Sequence, residues 1–288
     1  MKRFLLFMLI GVSAFCAEAQ IFYKIEGKNL KKPSYLFGTH HYAPESMLDS
    51  LPAVMQALSE TEVVVGELDM TQGQMAMALA MQPHMMAPAD STLSKLVSAE
   101  KFAEMDSIFS SLTGGMKLNM FEGMKPVVVD ATLAALLAAR NLSQTGQLDT
   151  FFQDIAKKES KKVEGLETPE FQAHVLFDII PISKQMETLI STLDDPQEIL
   201  SATEKLTQAY LSRNAEAIWE IGKEASEESE GEFFEHILDK RNRSWLAQLP
   251  EMMENNSLFI AVGALHLFGE QGLIEGLKAE GYKVTPIL

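Results

Sequence analysis

The sequence predicts an α/β (α+β) protein: a central mixed β-sheet with flanking helices, two strand-GxxH units and a largely helical middle segment. Three observations predict it. Short β-branched or aromatic runs near both ends of the chain, such as VVV at 63–65 and LFIAV at 258–262, have the length and composition of buried strands. The middle of the chain carries apolar residues at helical spacing beside charged ones. Two strand runs end in the same signature, Gly38-Thr39-His40-His41 and Gly263-Ala264-Leu265-His266.

Each element follows from its local pattern. Residues 1–19 have a basic start (Lys2, Arg3), an apolar stretch from Phe4 to about Cys16, and Ala17-Glu18-Ala19 before Gln20. That is the layout of a signal peptide cleaved after Ala19, with an apolar core too short for a comfortable membrane span. A lipoprotein reading through Cys16 is disfavoured by the bulky Phe15 before it. Next, IFYKIEGKNLKKPSYLFGTHH reads as a β-hairpin turning at Gly27-Lys28-Asn29. Met47, Leu48, Leu51, Val54, Met55 and Leu58 fall at helical spacing, and VVVGELDM is a short buried strand. Residues 91–120 and 130–141 are helical by pattern, as is Asp149 to Lys158, before a strand at about Lys162 to Leu166. Several amphipathic helices fill 169–245, broken near Pro181 and Pro196. NNSLFIAVGALHL is the clearest strand; a helix at about Gly272 to Gly281 and a final strand in YKVTPIL follow.

Composition narrows the function. The chain has 24 Lys and Arg against 40 Asp and Glu, a net charge of −16, so nucleic acid is an unsuitable partner. The one cysteine, Cys16, lies in the leader, so disulfide and thiolate chemistry are excluded after cleavage. No later run is long and apolar enough to cross a bilayer, and no stable membrane insertion is expected. The expected location is the periplasm or the exterior. There is no HExxH, no G-x-S-x-G elbow, no Walker A and no Rossmann glycine pattern.

The chemistry-bearing candidates are His41, Glu67 and His266. Each closely follows an apolar strand and a glycine, in LFGTHH, VVVGE and AVGALH. Ligand sites in open α/β sheets form beyond the carboxyl ends of strands, so neighbouring strands would bring two imidazoles and a carboxylate together. Such a set suits a divalent metal ion with open positions for water. A metal-free version also works, with a histidine or Glu67 taking a proton from water. Arg241, in KRNRSWLAQL, is a candidate carboxylate clamp or oxyanion donor. The alternative is an ion pair with the acidic stretch KEASEESEGEFFEHILD before it; Arg243 and Lys240 read as solvated. Glu167 also follows a strand and glycine, but Thr168-Pro169 beside it is a helix-start signal that favours a structural role; Glu164 is weighed with it. Met70, Met75, Met77, Met81, Met85 and Met86 crowd around His84. Thioethers suit Cu(I), flexible methionines suit an adaptable peptide groove, and the plain alternative is a helix packed on the core. His174 and His236 read as structural or surface residues.

LFGTHH, VVVGELD, VEGLETPEFQ, RNRSW and LFIAVGALHLFGEQGLIEGLKAEGYKV occur in that order. Together they resemble the TraB/GumN family, which includes Tiki-type peptidases and pheromone-shutdown proteins and is similar in fold to erythromycin esterases. The resemblance implies one TraB/GumN-type domain over 20–288. Its Gly-Thr-x-His motif falls on Gly38, Thr39 and His41, with His40 in the variable place. Its second GxxH falls on Gly263 and His266, its strand glutamate on Glu67, and its Arg-Asn pair on Arg241 and Asn242. The resemblance implies an exported metal-dependent hydrolase of peptide or protein substrates. In it His41, Glu67 and His266 hold a divalent metal ion or activate water, and Arg241 and Asn242 orient the substrate. Two alternatives stay open: a non-catalytic protein that binds and sequesters an envelope ligand or peptide, and a metal-independent esterase or amide hydrolase.

Overall fold

A computed structural model describes residues 20–141, 147–228 and 234–287. The signal peptide expected over residues 1–19 lies outside the described residues. Six strands form one mixed sheet: β1 (Phe22–Glu26), β2 (Ser34–Thr39), β3 (Val63–Gly66), β4 (Lys162–Gly165), β5 (Leu258–Gly263) and β6 (Lys283–Pro286). Their order is β4-β3-β5-β2-β1-β6. The four strands β4, β3, β5 and β2 run parallel, and β1 is antiparallel to both of its neighbours. The hairpin forms as its pattern predicts, with Gly27 and Lys28 at positive φ in the turn and the Leu30 amide donating to the Gly27 carbonyl.

Parallel strands inside a sheet must be covered on both faces, which explains why β3 and β5 are apolar throughout rather than alternating, while β4, at the sheet edge, carries Lys162 and Glu164. Along β5, Phe259 and Ala261 enter one core layer, while Leu258, Ile260 and Val262 enter the other. The first layer is aromatic: Phe37 and Phe259 each meet both Phe22 and Phe152. The second is closed by Trp245, Leu249, Leu273 and Leu277.

The helices are α1 (Pro52–Glu60), α2 (Gln74–Met85), α3 (Leu93–Leu96), α4 (Ala99–Thr113), α5 (Pro126–Asn141), α6 (Leu148–Lys158), α7 (Pro169–Phe177), α8 (Ile182–Asp194), α9 (Pro196–Leu211), α10 (Ala215–Glu228), α11 (Lys240–Leu246), α12 (Leu249–Asn255) and α13 (Leu273–Ala279). The single helix expected over 47–58 is two pieces, a 3₁₀ turn at Glu45–Ser50 and then α1. Pro52 is the reason: it suits the first turn of a helix but cannot continue one. The middle helices α4, α5 and α8 bury Phe109, Leu133 and Leu189 in a third apolar cluster of their own. A π turn, Glu235–Asp239, leads directly into α11. No helix among the described residues is long and apolar enough to cross a membrane.

Candidate active site

The sheet order does what the sequence patterns could only imply. The carboxyl ends of β2, β5, β3 and β4 lie side by side at one edge. The two GxxH strands are direct neighbours, with Thr39 opposite Gly263. Gly38 permits this: a Cβ there would come within 2.9 Å of the Ala264 Cα, so any side chain would push the two motifs apart. Gly66 is under the same constraint from the Gln153 side chain, which donates to the Leu68 carbonyl and accepts from the Met70 amide, fixing the chain just after Glu67.

Glu67 leaves β3 and turns into the site. Its Oε1 accepts from the Gly263 amide at 2.9 Å, and its Oε2 from Arg241 Nη2 at 2.5 Å and Gln172 Nε2 at 3.1 Å. Burial works against its charged form, but His266, Arg241 and the Gly263 amide outweigh that and bring the carboxyl down to about 2. Glu167, beyond the end of β4, takes Arg241 in a two-pronged pair: Nε donates to its Oε2 at 3.0 Å and Nη2 to its Oε1 at 2.6 Å. Gln172 bridges the two carboxylates by also donating to Glu167 Oε1 at 3.0 Å. Burial raises the Glu167 carboxyl above its ordinary value despite Arg241.

The protonation of His266 can be read from its partners. Asn242 Nδ2 donates to two carbonyls, of His266 at 3.2 Å and Gln271 at 2.9 Å. Its Oδ1 must therefore be the acceptor facing His266 Nδ1 at 2.7 Å, so Nδ1 carries the proton. The lone pair is then on Nε2, where Arg241 Nη1 donates at 3.0 Å. Burial pushes this imidazole down to about 3, with Arg241 adding to the effect and Glu67 opposing it. His266 is accordingly a neutral, fully bonded ring packed at a tilt against Trp245, with ring centroids 4.3 Å apart.

Arg241 is the hub. The remaining Nη1 hydrogen goes to the Ile237 carbonyl at 3.0 Å, so all five N–H donors are engaged within the protein. Its side chain is 4% exposed, and its ion-pair partners among the described residues are Glu67 and Glu167. The substrate-orienting role expected of Arg241 and Asn242 gives way to a positioning one. Arg241 has no donor left, and Asn242, also buried, fixes the tautomer of His266. Arg243 and Lys240 lie at the surface, as expected.

His41 stands apart. Its side chain is 80% exposed, and Nδ1 lies 3.6 Å from Asp149 Oδ2. Contact with Asp149 raises its pKa above the ordinary histidine value, with Glu67 contributing to the rise. Asp149, in the first turn of α6, is itself held by Thr39 Oγ1, which donates to its Oδ1 at 2.6 Å. Thus Thr39, the second residue of the first GxxH motif, orients the partner of the fourth. His40 turns away from Asp149: its Nε2 lies 2.9 Å from Thr207 Oγ1, and its ring packs 5.2 Å from that of Tyr210. Burial lowers its pKa to about 4.

Two cavities meet over these residues. One, of about 230 Å³, is lined by Met70, Met77, Met81, Asp149 and Gln153. The other, of about 380 Å³, is lined by Leu176, Leu206, Ile218, Arg241 and His266 among others. His41, Glu67 and Gln172 line both, so they form the waist of a single cleft. The methionine-rich segment contributes one wall of it; most of it forms the helix α2, but Met77 is the one buried residue of that helix, so it is not packed on the core as its plainest reading expects.

A divalent ion shared by His41, Glu67 and His266 does not fit this arrangement. The Arg241 guanidinium, a permanent cation, already faces both the His266 lone pair and a Glu67 oxygen. Among the described residues, these three do not form a cluster whose ligand atoms all lie within 4.8 Å of one another; His84, His174 and Asp178 do.

Sequence reasoning missed Asp149 and Gln172, and it favoured a structural role for Glu167 because of the helix start beside it. The cap forms through Thr168 as expected, its Oγ1 accepting from the Phe171 amide at 3.2 Å, and Glu167 faces Arg241. The signal that marked Glu67, a strand followed by glycine and glutamate, was present at Gly165 and Glu167 as well. Asp149 and Gln172 carried no such mark.

Residues 21–286 match the model of the TraB/PrgY/gumN family. No curated protein and no solved structure matches the chain.

Proposed function

The chain belongs to the TraB/PrgY/gumN family, and from that premise we propose that it is an exported hydrolase of peptide or protein substrates whose attacking water is activated by His41. The observation that carries this reading is the division of labour at the waist of the cleft. Glu67 and His266 are both bonded to Arg241, whereas His41 is exposed, sits beside Asp149 and borders both cavities. With Nδ1 turned to Asp149, the ring's Nε2 is the nitrogen available to water. A histidine oriented by a carboxylate in this way is a general base suited to near-neutral pH. The ionised Glu67 at the other side of the waist orients the water and stabilises the imidazolium that forms. The apolar walls on either side, methionines on one and aliphatic residues on the other, suit extended chains with apolar side chains. Export rests on the leader pattern of residues 1–19.

The test is a peptide-library cleavage assay on the purified protein, with and without a strong chelator, beside His41→Ala. Cleavage is expected to persist in chelator and to fall about 10²–10⁴-fold in the variant, the usual contribution of a general base. Cleavage abolished by chelator and restored by a divalent ion favours the metal-dependent reading that the family resemblance implies. Cleavage unaffected by His41→Ala sinks the mechanism, and no cleavage of any peptide favours the non-catalytic binding reading.

A further inference from the structure

A second cluster lies away from the waist, where α2 packs against α7. His84 is in the last turn of α2, and Pro83 precedes it. His174 and Asp178 are four residues apart on α7 and its C-cap, a spacing that puts both on one face. Both imidazoles converge on one oxygen: Asp178 Oδ2 is 2.5 Å from His84 Nδ1 and 2.9 Å from His174 Nδ1. The other oxygen is held by the Lys125 ammonium, which fixes the carboxylate's orientation. One ligand atom from each of His84, His174 and Asp178 lies within 4.8 Å of the others.

We propose that His84, His174 and Asp178 form a binding site for a zinc-type divalent cation that fastens α2 to α7. Two imidazoles and a carboxylate are a donor set for such an ion, at metal–ligand distances of about 2.0–2.2 Å. Ligand atoms around a tetrahedral ion at that range stand about 3.3 Å apart, so the imidazoles need only back away slightly from Asp178. The ion takes the place of the Nδ1 protons, and binding therefore releases protons and weakens at acid pH. His174 is more than half exposed, which leaves a coordination position for water. Lys125 is the one charge in the cluster that opposes a cation, so affinity is expected to be below that of a closed structural site.

The position gives the site a consequence. On α7, Gln172 bonds both Glu67 and Glu167; on α2, Met77 and Met81 line the cleft. An ion joining His84 to His174 would fix the methionine wall relative to the waist. The site uses none of the residues of the proposed hydrolytic mechanism, and its test does not depend on activity.

Chelator-treated protein is titrated with Co²⁺, followed by its visible absorption, and with Zn²⁺ in competition. His84→Ala/His174→Gln is expected to bind one equivalent fewer than the natural sequence, and His174→Gln alone to bind that equivalent at least tenfold more weakly. His266→Ala is expected to retain it. Zn²⁺ should raise the melting temperature of the natural sequence and leave that of the double variant unchanged. Circular dichroism establishes that each variant is folded, and the exposed position of His174 keeps its single replacement informative if the double variant is not. Equal stoichiometry in the natural sequence and the folded variants, or loss of the equivalent in folded His266→Ala, overturns the proposal.

Discussion

His266 and His41 end the same kind of motif on neighbouring parallel strands, yet their surroundings are opposite. His266 is buried, neutral and bonded at both nitrogens, by Asn242 on one side and Arg241 on the other. His41 is exposed, with the Asp149 carboxylate 3.6 Å away. The same contrast separates Glu67 and Glu167, knitted together by Arg241 and Gln172, from Asp149 across the waist. A group whose hydrogen-bonding capacity is filled by the protein is fixed in place and takes no proton from a substrate. The half of the cleft with an unfilled nitrogen is the half suited to proton transfer, and the filled half shapes and charges it.

The sharpest way to break this comparison is to remove the hub. Arg241→Ala leaves Glu67 and Glu167 facing each other in a buried place, and breaking a buried pair in this way costs about 3–5 kcal/mol. Urea denaturation measures it, and a loss below 1 kcal/mol means that Arg241 is not the scaffold described. His41→Ala is the counterpart: its large effect should fall on turnover, with stability changed by no more than about 0.5 kcal/mol, as for an exposed substitution.

The histidines also differ in how they respond to pH. Burial lowers His266 to about 3 and His40 to about 4, from an ordinary value of 6.5. The unfolded chain therefore binds protons that the folded one refuses. Their contribution is fully present above 6.5 and is lost as pH falls towards 4 and then 3. His266→Gln should flatten the decline in stability over that window, whereas His41→Ala should not. An unchanged slope in His266→Gln contradicts the assignment of His266 as neutral. The smallest effect is expected from Asp149→Asn. Asp149 raises the His41 pKa, so its neutralisation lowers that pKa and moves the rising limb of the pH–rate profile to lower pH. A limb that stays in place separates Asp149 from the base.

Much of the fold was legible because it depends on local pattern. The hairpin, the apolar runs of β3 and β5, and the helices broken at Pro181 and Pro196 need no knowledge of the rest of the chain. The helix 249–255 was not anticipated, and Pro52 divided another that the apolar spacing had joined. At the site, His41, Glu67 and His266 were legible because each follows a strand and a glycine. Glu167 was hidden by a capping signal that belongs to Thr168 alone. Asp149 and Gln172 were invisible because they sit among ordinary helical polar residues. What distinguishes them is what they face: Thr39 and His41 for one, Glu67 and Glu167 for the other.

By itself the sequence determined which strands end in glycine and a reactive side chain, because close backbone approach and β-branched burial are written residue by residue. Whether those residues share a cleft, and which of them is left with a free valence, only the tertiary structure decided. The order β4-β3-β5-β2 joins residues separated by more than two hundred positions, and Arg241, from a helix outside the sheet, selects which of them it saturates. Hydrogen-bonding capacity is satisfied by whatever neighbour the fold supplies, and that neighbour is not encoded at the position it satisfies.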